Sequence, residues 1–200
     1  LNYFYSKNLP TMHSTFEQHL LWLESDGKSG QRADFTGLEL NGTDFSGKNL
    51  TKAIFEKASL QDCIFVDTIL DGANFREADL SYANATRCSA IGADFSRTQL
   101  TALDMSHAQL ENAQFAFAYA SEVKFDYAQM IGINATSADL GFTSFVGALL
   151  NRAKLVSANC WETQFTDASL EGADFAAAQI DGAFFTRADA RQASFREALI

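Results

Sequence analysis

Ala73-Asn74-Phe75-Arg76-Glu77-Ala78-Asp79-Leu80-Ser81-Tyr82 holds the plan of the whole chain. An apolar centre (Phe75, Leu80) recurs every fifth residue, and a small residue (Ala73, Ala78) stands two positions before it. The same phase extends without a slip from Phe35 to Ile200. It covers 34 consecutive centres: 13 Phe, 11 Leu, 5 Ala, 2 Met, 2 Ile and Cys160. The position two before the centre is Ala in 22 of the 34 units, and Lys48 is the one formal charge among all these inward positions. Self-similarity at a fixed period marks a repeat architecture.

A period of five fits neither common element. An α-helix repeats its apolar face every 3.6 residues and a strand alternates every two. Five helical steps turn the chain by about 500°, so successive centres would spiral over every side of a helix and form no stripe. The five-residue unit must therefore be a structural element of its own. Its centre and the residue two before it point inward, and the other three positions carry most of the polar residues.

Segments such as Ala73-Asn74-Phe75-Arg76-Glu77 and Ala173-Asp174-Phe175 read as A-(D/N)-(L/F)-x-x. The chain thereby resembles the pentapeptide-repeat family over about five-sixths of its length. The resemblance implies an all-β solenoid, a right-handed quadrilateral β-helix of about eight coils, with four pentapeptides as the four sides of a 20-residue coil. At a coil spacing of about 4.8 Å the rod would be roughly 40 Å long. The residues themselves support an even number of sides. All 13 centre phenylalanines fall at positions ending in 5. In a four-sided coil that places Phe on one pair of opposite walls and smaller apolar residues on the other.

The expected organisation is residues 1–32 as an N-terminal segment with a short capping helix, and 33–200 as the β-helix. Ser14-Thr15-Phe16-Glu17 fits a capping box, and Phe16, Leu20 and Leu23 share a helical face before Asp26-Gly27. These signals predict a helix over about 15–25, closing the first coil as solenoids require. The stretch from Leu21 to Ala33 resembles a lead-in found before bacterial pentapeptide arrays. The aromatic-rich residues 1–5 would either pack along the rod or stay disordered. The stem of Lys48 is expected to be buried with its amine reaching solvent.

Composition bounds the function. The chain has 200 residues, a formal net charge of −10 and one proline, Pro10, outside the repeats. No apolar run approaches the length of a membrane span, and no secretory leader is evident. Cys63, Cys88 and Cys160 all occupy inward positions without CxxC spacing, which reads as small buried thiols in a reducing, cytoplasmic setting. His13, His19 and His107 belong to no spaced ligand set or nucleophile motif. They are expected as surface decoration, with no catalytic, metal or cofactor-binding residue in the chain.

Function is then expected on the outer surface. Assigning each unit to a side by its centre modulo 20, three sides hold 6 acids and 5 bases, 5 and 3, and 4 and 4. The side centred on 40, 60 and 80 holds 7 acids and no base: Glu39, Asp62, Asp79, Glu122, Asp139, Glu162 and Asp181. It also carries Tyr82, Tyr119, Phe142 and Trp161, with Phe117 around the corner. Aromatics on a polar surface signal binding. These twelve residues form the candidate partner-binding face.

Two readings follow. The first is a non-enzymatic, rigid protein-interaction module whose partner has a basic surface. The second comes from the family resemblance: Qnr and MfpA types bind type II topoisomerases and protect them from quinolones, their acidic rods resembling duplex DNA. That makes a DNA mimic acting on DNA gyrase the alternative, with a loop-free rod closer to the MfpA type. End-to-end packing of two copies is a further expected association. Direct nucleic-acid binding is disfavoured by the negative charge.

Overall fold

A computed structural model describes the backbone of residues 9–200 and the side chains from residue 12 onward. Residues 1–5, with their aromatic cluster, lie outside the described residues. From Asp34 onward the chain winds into a four-sided solenoid. Thirty parallel bridges join residue i to residue i+20, from Asp34 with Ile54 to Gln179 with Leu199. Each side contributes a single bridging residue per coil, the one just before the apolar centre. We number the walls by their centres: the first from Phe35, the second from Leu40, the third from Phe45, the fourth from Leu50.

The two residues after each centre form the edge between successive walls. There the chain makes a turn closed by a main-chain hydrogen bond, such as the Leu38 N–H to the Phe35 carbonyl at 3.1 Å. The second edge residue has a positive φ at all 33 edges, from Gly37 to Glu197, the pattern of a type II turn. Only nine of these residues are glycine; the other 24 hold an L side chain in the left-handed region. The glycines at 37, 42, 47, 72, 92, 132, 147, 172 and 182 share one phase of the repeat, a signal of this turn that lies open in the sequence.

The interior confirms the unlike wall pairs. Phe35, Phe55, Phe75, Phe95 and Phe115 stack up the first wall with ring centroids 4.7–5.0 Å apart. Phe125, Phe145, Phe165 and Phe185 stack on the third at 5.0–5.3 Å. Across the axis the two columns meet edge to face, as Phe55 does with Phe65 at 6.0 Å. Where the third wall shrinks to Ala85 and Met105, the first keeps Phe75 and Phe95, and where the first shrinks to Ala135, the third keeps Phe125 and Phe145. Each fully buried ring contributes about 1.5–3 kcal/mol. Buried Thr68, Thr98 and Thr163 each donate to the carbonyl 23 residues earlier, at 2.8–2.9 Å, so none of these three hydroxyls is stranded.

The cap departs from expectation. Helix α1 runs over Leu9–Glu24. Ser14 is therefore an exposed residue inside the helix, not its N-cap, and Pro10 sits in the first turn, where its missing N–H costs nothing. The inward stripe is Met12, Phe16, His19 and Trp22–Leu23, while Leu20 is exposed. Phe16 lies 6.5 Å from the ring of Phe35 and 6.1 Å from that of Phe45, closing the end of the core.

His19 corrects the surface reading of the histidines, being wholly buried. Its Nδ1 accepts the Ala33 N–H at 3.0 Å, which ties α1 to the first coil. Among the described residues its Nε2 has no partner of good hydrogen-bond geometry. Burial holds its pKa below the ordinary 6.5; the Thr51 backbone pulls upward and the Arg32 charge downward. Lys48 is exposed rather than buried along its stem, its ammonium 5.6 Å from the ring centre of Phe16.

Candidate interaction surface

The repeat fixes how any surface must be built. In each unit only the bridging residue and the two edge residues face outward, and each row along the rod takes one residue per coil. The twelve candidate residues accordingly divide among the wall and its two edges. Glu39, Asp79, Tyr119 and Asp139 are bridging residues of the second wall. Asp62, Tyr82, Glu122, Phe142, Trp161, Glu162 and Asp181 occupy the edge between the second and third walls. Phe117 lies on the other edge of the wall, toward the first.

Ten of the twelve are exposed; Asp79 and Asp139 are half-buried. The aromatics are open to solvent, Tyr82 at 64% and Trp161 at 45% of full exposure. Phe142 and Trp161, on adjacent coils, form an edge-to-face pair with centroids 4.7 Å apart. Phe117 stands apart from them. The Arg97 guanidinium lies over its ring at 4.9 Å, a cation–π contact that satisfies it within the molecule. The base-free region is thus the second wall and its trailing edge, while the leading edge carries Lys57, Arg76 and Arg97.

The half-buried acids are held in place by neighbours that the charge pattern does not single out. Asp79 accepts hydrogen bonds from the Ser81 N–H at 3.0 Å and Gln61 Nε2 at 2.6 Å. Burial alone would raise its pKa, but these bonds outweigh it and hold the carboxyl below its ordinary value. Asp139 accepts from Asn159 Nδ2 at 2.9 Å and the Gly141 N–H at 3.3 Å. The sequence signal for these partners is an Asp or Asn at the bridging position, whose carboxyl or amide oxygen meets the N–H two residues on.

Charge is balanced differently elsewhere. Along the edge between the third and fourth walls, Arg87 clasps Asp67 with two bonds of 2.8 Å and Arg187 clasps Asp167 with two of 2.6 Å. Between them the ring of His107 stacks on Tyr127 at 5.2 Å. Among the described residues, eight of the fifteen coil acids outside the second wall have an Arg or Lys within ion-pair distance; none of the seven belonging to that wall does.

The remaining chemistry is sparse. Burial pushes the thiols of Cys88 and Cys160 up to about 12 and that of Cys63 to about 11, far from nucleophilic. Among the described residues, no group of three His, Cys, Asp or Glu side chains is placed to hold a metal ion, and no helix is long and apolar enough to cross a membrane. A cleft of about 230 Å³ lies between α1 and the first coil, lined by Met12, Thr15, Asp34, Phe35, Leu38, Glu39 and Leu40.

Comparison with known proteins agrees with this geometry. The profile of the pentapeptide repeat region matches residues 38–115, and that of the pentapeptide repeats (8 copies) matches 104–141, 136–172 and 168–198. Among solved structures, the chain is similar to HetL, a pentapeptide repeat protein involved in heterocyst differentiation regulation from the cyanobacterium Nostoc sp. strain PCC 7120. The likeness has 21% identity, covers 90% of this chain and 92% of that one, and has a TM-score of 0.57. It is also similar to a trypsin-treated variant of QnrB1, a plasmid-mediated fluoroquinolone resistance protein, at 16% identity, 80% and 90% coverage and a TM-score of 0.51. A pentapeptide repeat protein from the Arabidopsis thaliana thylakoid lumen is 32% identical over 54% of this chain and 68% of its own, with a TM-score of 0.41. A search among curated proteins found no match.

Proposed function

This chain belongs to the pentapeptide-repeat family, whose members are right-handed quadrilateral β-helices, and we propose that it works as a rigid, non-catalytic protein-interaction module. Its working surface is the second wall with its trailing edge, and its partner presents a basic surface. One observation carries this reading. The seven acids there have no counter-ion among the described residues, and they surround exposed Tyr82, Tyr119, Phe142 and Trp161. Elsewhere much of the acidity is answered by Arg or Lys of the molecule itself. Unanswered charge beside exposed aromatic area supports recognition of a partner that is both basic and apolar. Phe117, already covered by Arg97, is left out of the surface.

The reading is tested with three baits: the native chain, a variant with Glu122→Lys, Glu162→Lys and Trp161→Ala, and a variant with charges added on the fourth wall. The expected result is a protein captured from the native host by the first and third baits and lost with the second. Identical captures by all three would refute the assignment of the surface.

The second reading is a DNA mimic acting on a type II topoisomerase. It draws on the acidic rod and on the fold shared with QnrB1, whose resistance role belongs to that protein. It ranks second because the basic residues populate three walls, leaving the acidity one-sided, whereas a duplex carries phosphate all round. A gyrase supercoiling assay with and without a quinolone decides it: no effect at micromolar protein removes this reading.

A further inference from the structure

The spacing of the surface residues narrows the partner further. The coils repeat at 4.7–5.3 Å, the separation of stacked phenylalanine rings in successive coils. Along the second wall and its trailing edge, the acids come once per coil: Glu39, Asp62, Asp79, then Glu122, Asp139, Glu162 and Asp181. The fourth coil, with Gln99 and Ala102, is the one gap. The exposed aromatics follow the same beat, Tyr119, Phe142 and Trp161 in successive coils, with the last two in contact.

We propose that this surface takes one α-helix of the partner, lying along the rod, with a Lys or Arg in each turn and apolar side chains beside them against Tyr119, Phe142 and Trp161. The inference rests on the interaction-module reading above. An α-helix repeats its face every 5.4 Å, close to the coil spacing. From the second coil to the eighth the two repeats drift apart by about 3 Å, which long Lys and Arg side chains absorb. An extended strand repeats its face every 6.6–6.8 Å or so and would drift by about 11 Å, more than two coils. The helix needed is about 20 residues long, spanning roughly 30 Å. Its cations would meet carboxylates that no Lys or Arg among the described residues neutralises, and its apolar residues would cover exposed rings.

The test uses two synthetic 22-residue peptides of identical composition. One is all-L, with a Lys or Arg once per turn along one face and Leu beside the central turns. The other carries D residues at alternate positions, which forbids a right-handed helix while keeping the charge. Fluorescence anisotropy measures their binding to the full chain, to a Glu122→Lys, Glu162→Lys variant, and to a control with the same net charge. That control carries Ser89→Lys, Gln109→Lys, Gln129→Lys and Leu149→Lys on the fourth wall. Thermal unfolding establishes that each variant is folded.

The helical peptide is expected to bind at least about tenfold more tightly than its isomer, with the acidic-edge variant losing about tenfold and the fourth-wall control much less. Equal binding of both peptides, lost in the acidic-edge variant alone, would overturn the helix and leave the basic-partner reading standing. Binding of neither peptide, or equal loss in both variants, would overturn the two together.

Discussion

Replacing Gly47 or Gly92 by alanine isolates the conformational cost of an edge from every other effect. Both glycines have φ near +64°, and a Cβ built on either meets no atom within 4 Å. No clash is created, so the change acts through the backbone alone. An L residue in the left-handed region costs about 1–2 kcal/mol. Alanine returns about 0.4–1 kcal/mol by narrowing the unfolded ensemble. The net expected loss is about 1 kcal/mol per site. The two sites lie on different edges two coils apart, so the losses should add. Ala102→Gly and Ala177→Gly run the argument backwards, since both alanines have φ near +55°; each should gain about 0.5–1 kcal/mol. The assay is urea unfolding followed by far-ultraviolet circular dichroism, with midpoints compared at constant slope. A stable or stabilised Gly92→Ala, or a destabilised Ala102→Gly, would refute the left-handed edge.

Three other perturbations probe the core and the cap. Phe125→Ala removes a ring stacked 5.1 Å from Phe145 and edge to face with Phe115 at 5.6 Å, and should cost about 3–5 kcal/mol in the same unfolding assay. Gly30→Ala would place a Cβ 2.3 Å from the Gln18 carbonyl and 2.6 Å from the Trp22 nitrogen. It should undock α1, read as a red shift of tryptophan fluorescence with amide protection of the middle coils kept. Lowering the pH should also loosen the cap, because His19 has a folded-state pKa below its unfolded value near 6.5. Between those values the unfolded chain binds more protons, so stability falls as the pH drops from about 6.5 toward the folded pKa and levels off below it. Hydrogen exchange of α1 at pH 7.5 and 5 should show the loss. His19→Gln, which cannot charge, should flatten that dependence.

The solenoid was open to reading because burial imposes the same demand at every fifth residue, and the Phe-only-at-5 pattern carried the wall pairing with it. The cap was harder. Ser14-Thr15-Phe16-Glu17 satisfies the local rules for a helix start, yet α1 begins at Leu9 because the helix is held by contacts made far along the chain, such as His19 with Ala33. A buried histidine looks like any other until its tertiary acceptor role is seen. The candidate surface was legible in its acids and aromatics, since side assignment follows from counting. The split into wall and edge does not come from counting charges; the shared phase of the glycines carries it. Phe117 lies one coil from Arg97, a neighbour the 20-residue period places beside it, and the structure adds that the guanidinium covers its ring.

The bridge from each residue to the one 20 positions later also gives the molecule a quantum of length. Removing 20 residues from its middle deletes one coil and leaves every wall continuous. Removing five preserves the apolar beat but turns everything downstream by a quarter revolution. Phe columns would then run into Leu columns, and Trp161 would face a different compass point from Tyr82. Gain and loss of sequence in such a rod is therefore silent in multiples of 20 and disruptive in smaller steps, so a binding stripe along one side can lengthen or shorten only by whole coils.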